Sequence, residues 1–100
     1  MKLEDLGDTL RISSVNQLAE ANAVAFRDWV QTAFKEGHKN IEVDLSQTSF
    51  VDSSGLGALV ALHKTALRRY GTLRLINPRP PVQQILELTR LDGILEIIKR

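Results

Sequence analysis

The stretch Ile41-Glu42-Val43-Asp44-Leu45-Ser46-Gln47-Thr48-Ser49-Phe50-Val51-Asp52-Ser53-Ser54-Gly55-Leu56-Gly57 changes its hydrophobic period part-way along. Ile41, Val43 and Leu45 alternate with Glu42, Asp44 and Ser46, the period of a strand with one face in a core. From Leu56 onward the apolar positions Leu59, Val60, Leu67 and Tyr70 follow helical spacing as far as Gly71. A strand that hands over to a helix across small polar residues is the half-unit of an α/β fold.

The same alternation continues on both sides. Toward the C-terminus, Thr72 to Ile76 is a β-rich run and Asn77 to Pro81 a turn; Val82, Ile85, Leu86 and Leu88 or Thr89 then mark a helix stopping near Asp92-Gly93, before a last strand over Ile94 to Ile98. Toward the N-terminus, Leu18, Ala25, Phe26, Trp29, Val30, Ala33 and Phe34 predict an amphipathic helix from about Leu18 to Lys35, closed by Gly37, with Trp29 in the core. Leu3 to Leu6 and Thr9 to Ser14 flank Gly7-Asp8 as a hairpin. The predicted order is two strands, helix, strand, helix, strand, helix, strand. It implies one α/β domain over residues 1–100, with right-handed crossovers and helices packed on a mixed, mostly parallel sheet of four to five strands.

Composition narrows the chemistry. The 100 residues carry 43% hydrophobic and 25% charged side chains, ordinary for one globular core. Thirteen Lys and Arg against 12 Asp and Glu leave a net charge of +1, too little to gather a phosphate backbone, so direct nucleic-acid binding is disfavoured. With no cysteine there is no disulfide or thiolate chemistry, and the only histidines, His38 and His63, are too few for most metal sites. No cofactor is implied. The acidic start and the short apolar runs predict no signal peptide and no membrane insertion, hence a cytoplasmic protein.

The strand-to-helix junction holds the most informative residues. The first turn of a helix presents unpaired N–H groups and a positive dipole end, so a hydroxyl or carboxylate there caps the helix, and a phosphate there is favoured. Asp52 or Ser53 as a plain N-cap is the simplest reading. A hydrolase elbow is excluded, because glycine would have to stand two residues before the serine and Val51 or Asp52 stands there instead. Neither a phosphate-binding loop nor a Rossmann fingerprint is present. Asp44, at the end of its strand, is either a second acid near this junction or a turn residue. His63 reads as a structural histidine, and Lys64, Arg68 and Arg69 as a solvated basic side.

These residues carry a resemblance. Ile41 to Ser46 and Phe50 to Leu59, together with Leu18 to Ala23 and Leu91 to Ile94, are similar to the signature of STAS domains, specifically bacterial anti-sigma-factor antagonists. The resemblance runs from Leu10 to Ile98. It implies a regulatory binding module rather than an enzyme. By position Ser53 would be phosphorylated by an anti-sigma factor with a GHKL-type serine kinase fold, and a PP2C-like phosphatase would reverse this. Asp52, Ser54, Gly55, Leu56, Gly57 and Asp44 would support the phosphosite and the partner surface. The unphosphorylated form would bind the anti-sigma factor and release a sigma factor. Two positions depart from the family: Asn16 and Ala19 stand where a glycine and an aspartate are usual, and no helix is expected after the last strand. The alternative use is a constitutive STAS subunit docking on an ATPase, in a stress-signalling complex or a lipid-transport ABC system.

Overall fold

A computed structural model describes residues 1–100. The alternating run at its centre forms β4 (Asn40–Asp44), with Ile41 and Val43 fully buried. Around it lie β1 (Lys2–Asp5), β2 (Thr9–Ser13), β3 (Gln17–Leu18), α1 (Ala23–Ala33), β5 (Phe50–Val51), α2 (Ser53–Leu67), β6 (Leu73–Ile76), α3 (Pro80–Leu88) and β7 (Glu96–Ile98), with a 3₁₀ turn at Leu91–Gly93. The main sheet has five strands in the order β1-β2-β4-β6-β7; only β1 is antiparallel to its neighbour. Because the order steps one way across the sheet, right-handed crossovers lay all three helices on one face.

That face is apolar. In-register rows Leu10, Ile41, Leu73 and Ile12, Val43, Leu75 meet Phe26 and Val30 of α1, Leu59 and Leu62 of α2 and Leu86 of α3 in one core. The intervening residues give the other face a row of alternating charge: Glu4, Arg11, Glu42, Arg74 and Glu96 lie side by side across all five strands. Glu42, at its centre, takes Arg11 at 2.9 Å, Arg74 at 3.2 Å and Arg100 at 3.3 Å. Burial alone pushes the Glu42 pKa up, but the bonds and charge of the three arginines outweigh it and hold the carboxyl below its usual range.

The predicted element order stands, with local corrections. The first helix starts at Ala23 rather than Leu18, because residues 17–22 are used differently: Gln17 and Leu18 pair with Phe50 and Val51 in a small parallel sheet. Asn22 then closes a turn, its Oδ1 accepting from Ala19 N and its Nδ2 donating to the Gln17 carbonyl. Trp29 is not core; it keeps 36% of its surface exposed, beside a groove that also takes in Leu3, Leu10 and Ala33. Leu67, Tyr70 and Leu88 are exposed as well: Leu67 and Leu88 are the last residues of α2 and α3, and Tyr70 lies in the turn beyond α2. α2 ends with Tyr70, not Gly71, in the left-handed region (φ 60°), and Gly71 N reaches back to the Ala66 carbonyl. Gly71 is required for another reason: a Cβ there would overlap the Lys39 carbonyl.

Two side chains read as unremarkable tie elements together. Arg69 is no solvated base; it lies 4.3 Å over the Phe34 ring and donates to the carbonyls of Phe34, Lys35 and His38 past the end of α1. His38 is buried, accepts from Lys35 N at Nδ1 and sits 3.2 Å from Asp5 through Nε2, so it joins α1 to the hairpin. Its hydrogen bond holds the Asp5 carboxyl below the usual range. His63 is partly buried, and its Nδ1 has no partner. No helix is long and apolar enough to cross a membrane.

Candidate functional site

Phe50-Val51 places the chain against β3, and Asp52 N then donates to the Leu18 carbonyl at 3.1 Å, so α2 starts at a fixed point. Asp52 is the N-cap, in extended backbone (φ −108°, ψ −171°). Its two oxygens divide their work: Oδ1 accepts from Gly55 N and Oδ2 from Glu20 N, each at 3.0 Å. The amides of Gly55 and Glu20 hold the Asp52 carboxyl below the usual range, so it stays ionised near neutral pH. One side chain therefore caps α2 and anchors the loop leading into α1.

Ser53 is the first residue of α2 and is exposed, as is Ser54. Its hydroxyl stands at the positive end of a 15-residue helix, where added negative charge is favoured by roughly 0.3–1 kcal/mol. Asp52, with both oxygens bound to amides, is held as a fixed charge beside it. Beyond this turn a groove of about 370 Å³ runs between α1 and α2, lined by Glu20, Val24, Arg27, Ser54, Gly57 and Ala58. Val24 and, beside Val51, Phe50 are exposed apolar side chains near this end of the molecule.

The other residues grouped with Ser53 separate here. Gly55 and Leu56 face inward and are buried, so what the structure shows of them is packing beneath the turn. A Cβ on Gly55 would overlap the Leu18 backbone, lying 2.7 Å from its carbonyl carbon, whereas one on Gly57 would meet nothing within 4 Å. Asp44 caps its own turn, accepting from Ser46 N at 2.9 Å, and no bond joins it to the Ser53 turn. Ala19 is buried and brings no carboxylate, but the next residue, Glu20, is exposed and lines the groove. Glu20 was not singled out from the sequence. Arg27 was likewise legible only as a polar helix residue. The STAS domain family profile matches residues 1–100.

The chain belongs to the STAS domain family. A Thermotoga maritima protein described as an anti-sigma factor antagonist is 32% identical over 91 residues, covering 90% of this chain and 80% of its own. A crystal structure of such an antagonist from the same organism superposes with a TM-score of 0.88 at 30% identity, over 99% of this chain and 85% of that one. The anti-sigma-B factor antagonist of Listeria monocytogenes is 33% identical over 57 residues, 57% of this chain and 50% of its own. SpoIIAA, an anti-sigma factor antagonist solved in unphosphorylated form, shares the fold at a TM-score of 0.86 and 24% identity, over 99% and 86% of the two chains. A phosphorylated form of SpoIIAA also has this fold, at a TM-score of 0.77 and 23% identity over 99% and 89%.

Proposed function

We propose that this STAS domain is an anti-sigma-factor antagonist switched by phosphorylation of Ser53. Unphosphorylated, it binds an anti-sigma factor through the start of α2 and the α1–α2 groove, which frees a sigma factor; phosphorylated at Ser53, it lets go. The kinase is the anti-sigma factor itself, and a phosphatase resets the switch in the cytoplasm. The observation that carries this reading is the exposed Ser53 at the first position of α2, on a turn held rigid by Asp52. The names of its sequence relatives supply the class of partner.

A phosphate brings about −1.5 to −2 charge next to the fixed Asp52 carboxylate. Free in solvent, that charge is tolerated by the helix dipole; pressed unpaired into an interface it costs several kcal/mol. The fold should persist while the complex fails. Titration of the cognate anti-sigma factor with wild type, Ser53→Ala and Ser53→Asp tests this, with mass spectrometry after incubation with ATP. Ser53→Ala should bind with or without ATP. Ser53→Asp, carrying part of a phosphate's charge, should bind about 1–3 kcal/mol more weakly, roughly five- to 150-fold, and melt at a similar temperature. Equal binding by all three, with no phosphate on Ser53, leaves the constitutive-subunit use instead.

A further inference from the structure

The main sheet ends at β1, whose outer edge has no strand beside it. Which backbone groups that edge offers follows from the hairpin. Leu6 N donates to the Thr9 carbonyl at 2.9 Å, and bonded and unbonded pairs alternate along an antiparallel ladder. Counting back from Leu6, Glu4 and Lys2 direct their backbone groups at Arg11 and Ser13, while Leu3 and Asp5 direct theirs outward. The side chains divide in the same way. Leu3 and Asp5 lie on the helix side, where a groove of about 390 Å³ also takes in Leu10, Trp29, Ala33 and His38; Lys2 and Glu4 lie on the charged face.

We propose that β1 pairs antiparallel with β1 of a second copy of the chain, across a two-fold axis at Leu3, to make one continuous sheet. In this register Leu3 bonds to Leu3 of the second copy through the outward N–H and C=O of each. On the helix side the two leucines meet where the grooves open, with the half-covered Trp29 of each copy beside them. On the charged face Lys2 stands opposite Glu4 of the second copy, twice. Charge excludes the neighbouring registers: an axis at Glu4 sets Glu4 against itself, and an axis at Lys2 sets Lys2 against itself. Charged residues on an edge strand ordinarily discourage pairing with a stray strand, but in this register Lys2 and Glu4 complement their own antiparallel copy.

The site described above is untouched by this contact. β1 packs on β2 at one margin of the sheet, while the Ser53 turn is seated on β3 and β5. The paired form therefore presents two open Ser53 turns, whether or not Ser53 is a phosphosite.

Sedimentation velocity over a concentration series tests the pairing with wild type, Lys2→Glu, Glu4→Lys and an equimolar mixture of the two variants. Lys2→Glu leaves the Glu4–Arg11 neighbours of its own hairpin in place, so its thermal melt should match wild type. Wild type should self-associate. Each variant turns two attractive cross-strand pairs into two repulsive ones and should associate at least about tenfold more weakly. The mixture should recover, because each strand of a mixed pair again sets an acid opposite a base. A wild type that stays monomeric to millimolar concentration overturns the proposal. So does Lys2→Glu associating as wild type does, or a mixture that stays apart.

Discussion

Asp52 at the start of α2 and Glu42 on the charged face of the sheet are both carboxylates held below their usual pKa range, and they reach that state by opposite means. Asp52 is at the surface and is held by two backbone amides, those of Gly55 and Glu20. Glu42 is 5% exposed and is held by the partly exposed guanidinium groups of three arginines. Backbone donors cannot swing away as a side chain can, so the turn beside Ser53 is fixed by main-chain geometry. Arginine donors hold strands in register but can rehydrate. The first arrangement suits a switch and the second suits a scaffold.

The largest effect is expected at Gly55, because the turn that starts α2 leaves no room for a side chain against Leu18. Gly55→Ala drives a methyl group into the Leu18 backbone, which β3 pairing to β5 holds in place. Overpacking against backbone should cost about 3 kcal/mol, read as a lower urea midpoint with little change in slope. The loss should be accompanied by weaker protection of the Glu20 and Gly55 amides in hydrogen exchange, because the Asp52 bridge moves with the turn.

Glu42→Gln tests the scaffold side. It keeps the volume, removes the charge and leaves three arginines around a neutral amide. Because the arginine side chains are 26%, 30% and 48% exposed, water takes over part of their solvation, and the cost should be about 2 kcal/mol rather than the larger figure for a fully buried pair. Acid should reveal the same group. A carboxyl with a depressed native pKa adds stability that is fully present above its unfolded value, 4.5 for Glu42, and is lost as pH falls through the native value. Wild type should lose stability below about pH 4.5, and Glu42→Gln should lose less over that window. Salt should weaken the Glu42 contribution more than the Asp52 cap, since only the former rests on separated, partly exposed charges.

Much of this was legible in the sequence, and unevenly. Elements long enough to show a period came through: β4 from Ile41, Val43 and Leu45, and α2 from the spacing after Gly55. Two-residue strands have no period, so β3 and β5 were invisible, and with them the reason α1 starts at Ala23. Helical spacing marked Trp29, Leu67 and Tyr70 as apolar positions but carries no information on which neighbours cover them. The site was half legible. Ser53 and Asp52 follow from capping chemistry and from the family resemblance. Glu20, by contrast, joins them through its backbone N–H, a group every residue but proline possesses, so no side-chain pattern could have found it.

The smallest effect is expected within the same motif. Gly57, two residues after Gly55, lies on the outer side of the same turn, and a Cβ there meets nothing within 4 Å. Replacing a helical glycine by alanine reduces the backbone entropy lost on folding, so Gly57→Ala should leave stability unchanged or raise it by up to about 1 kcal/mol. Its glycine is thus unexplained by the fold. Gly57 lines the groove between α1 and α2 with Ser54 and Arg27, where a methyl group would stand in the way of a closely fitting partner backbone. If the groove is the contact surface, Gly57→Ala should weaken binding to the anti-sigma factor while the melting temperature stays level or rises, whereas Gly55→Ala lowers the melting temperature. Calorimetric titration alongside thermal melts separates the two. Undiminished binding by Gly57→Ala would confine the contact surface to the exposed start of α2 and take the groove out of it.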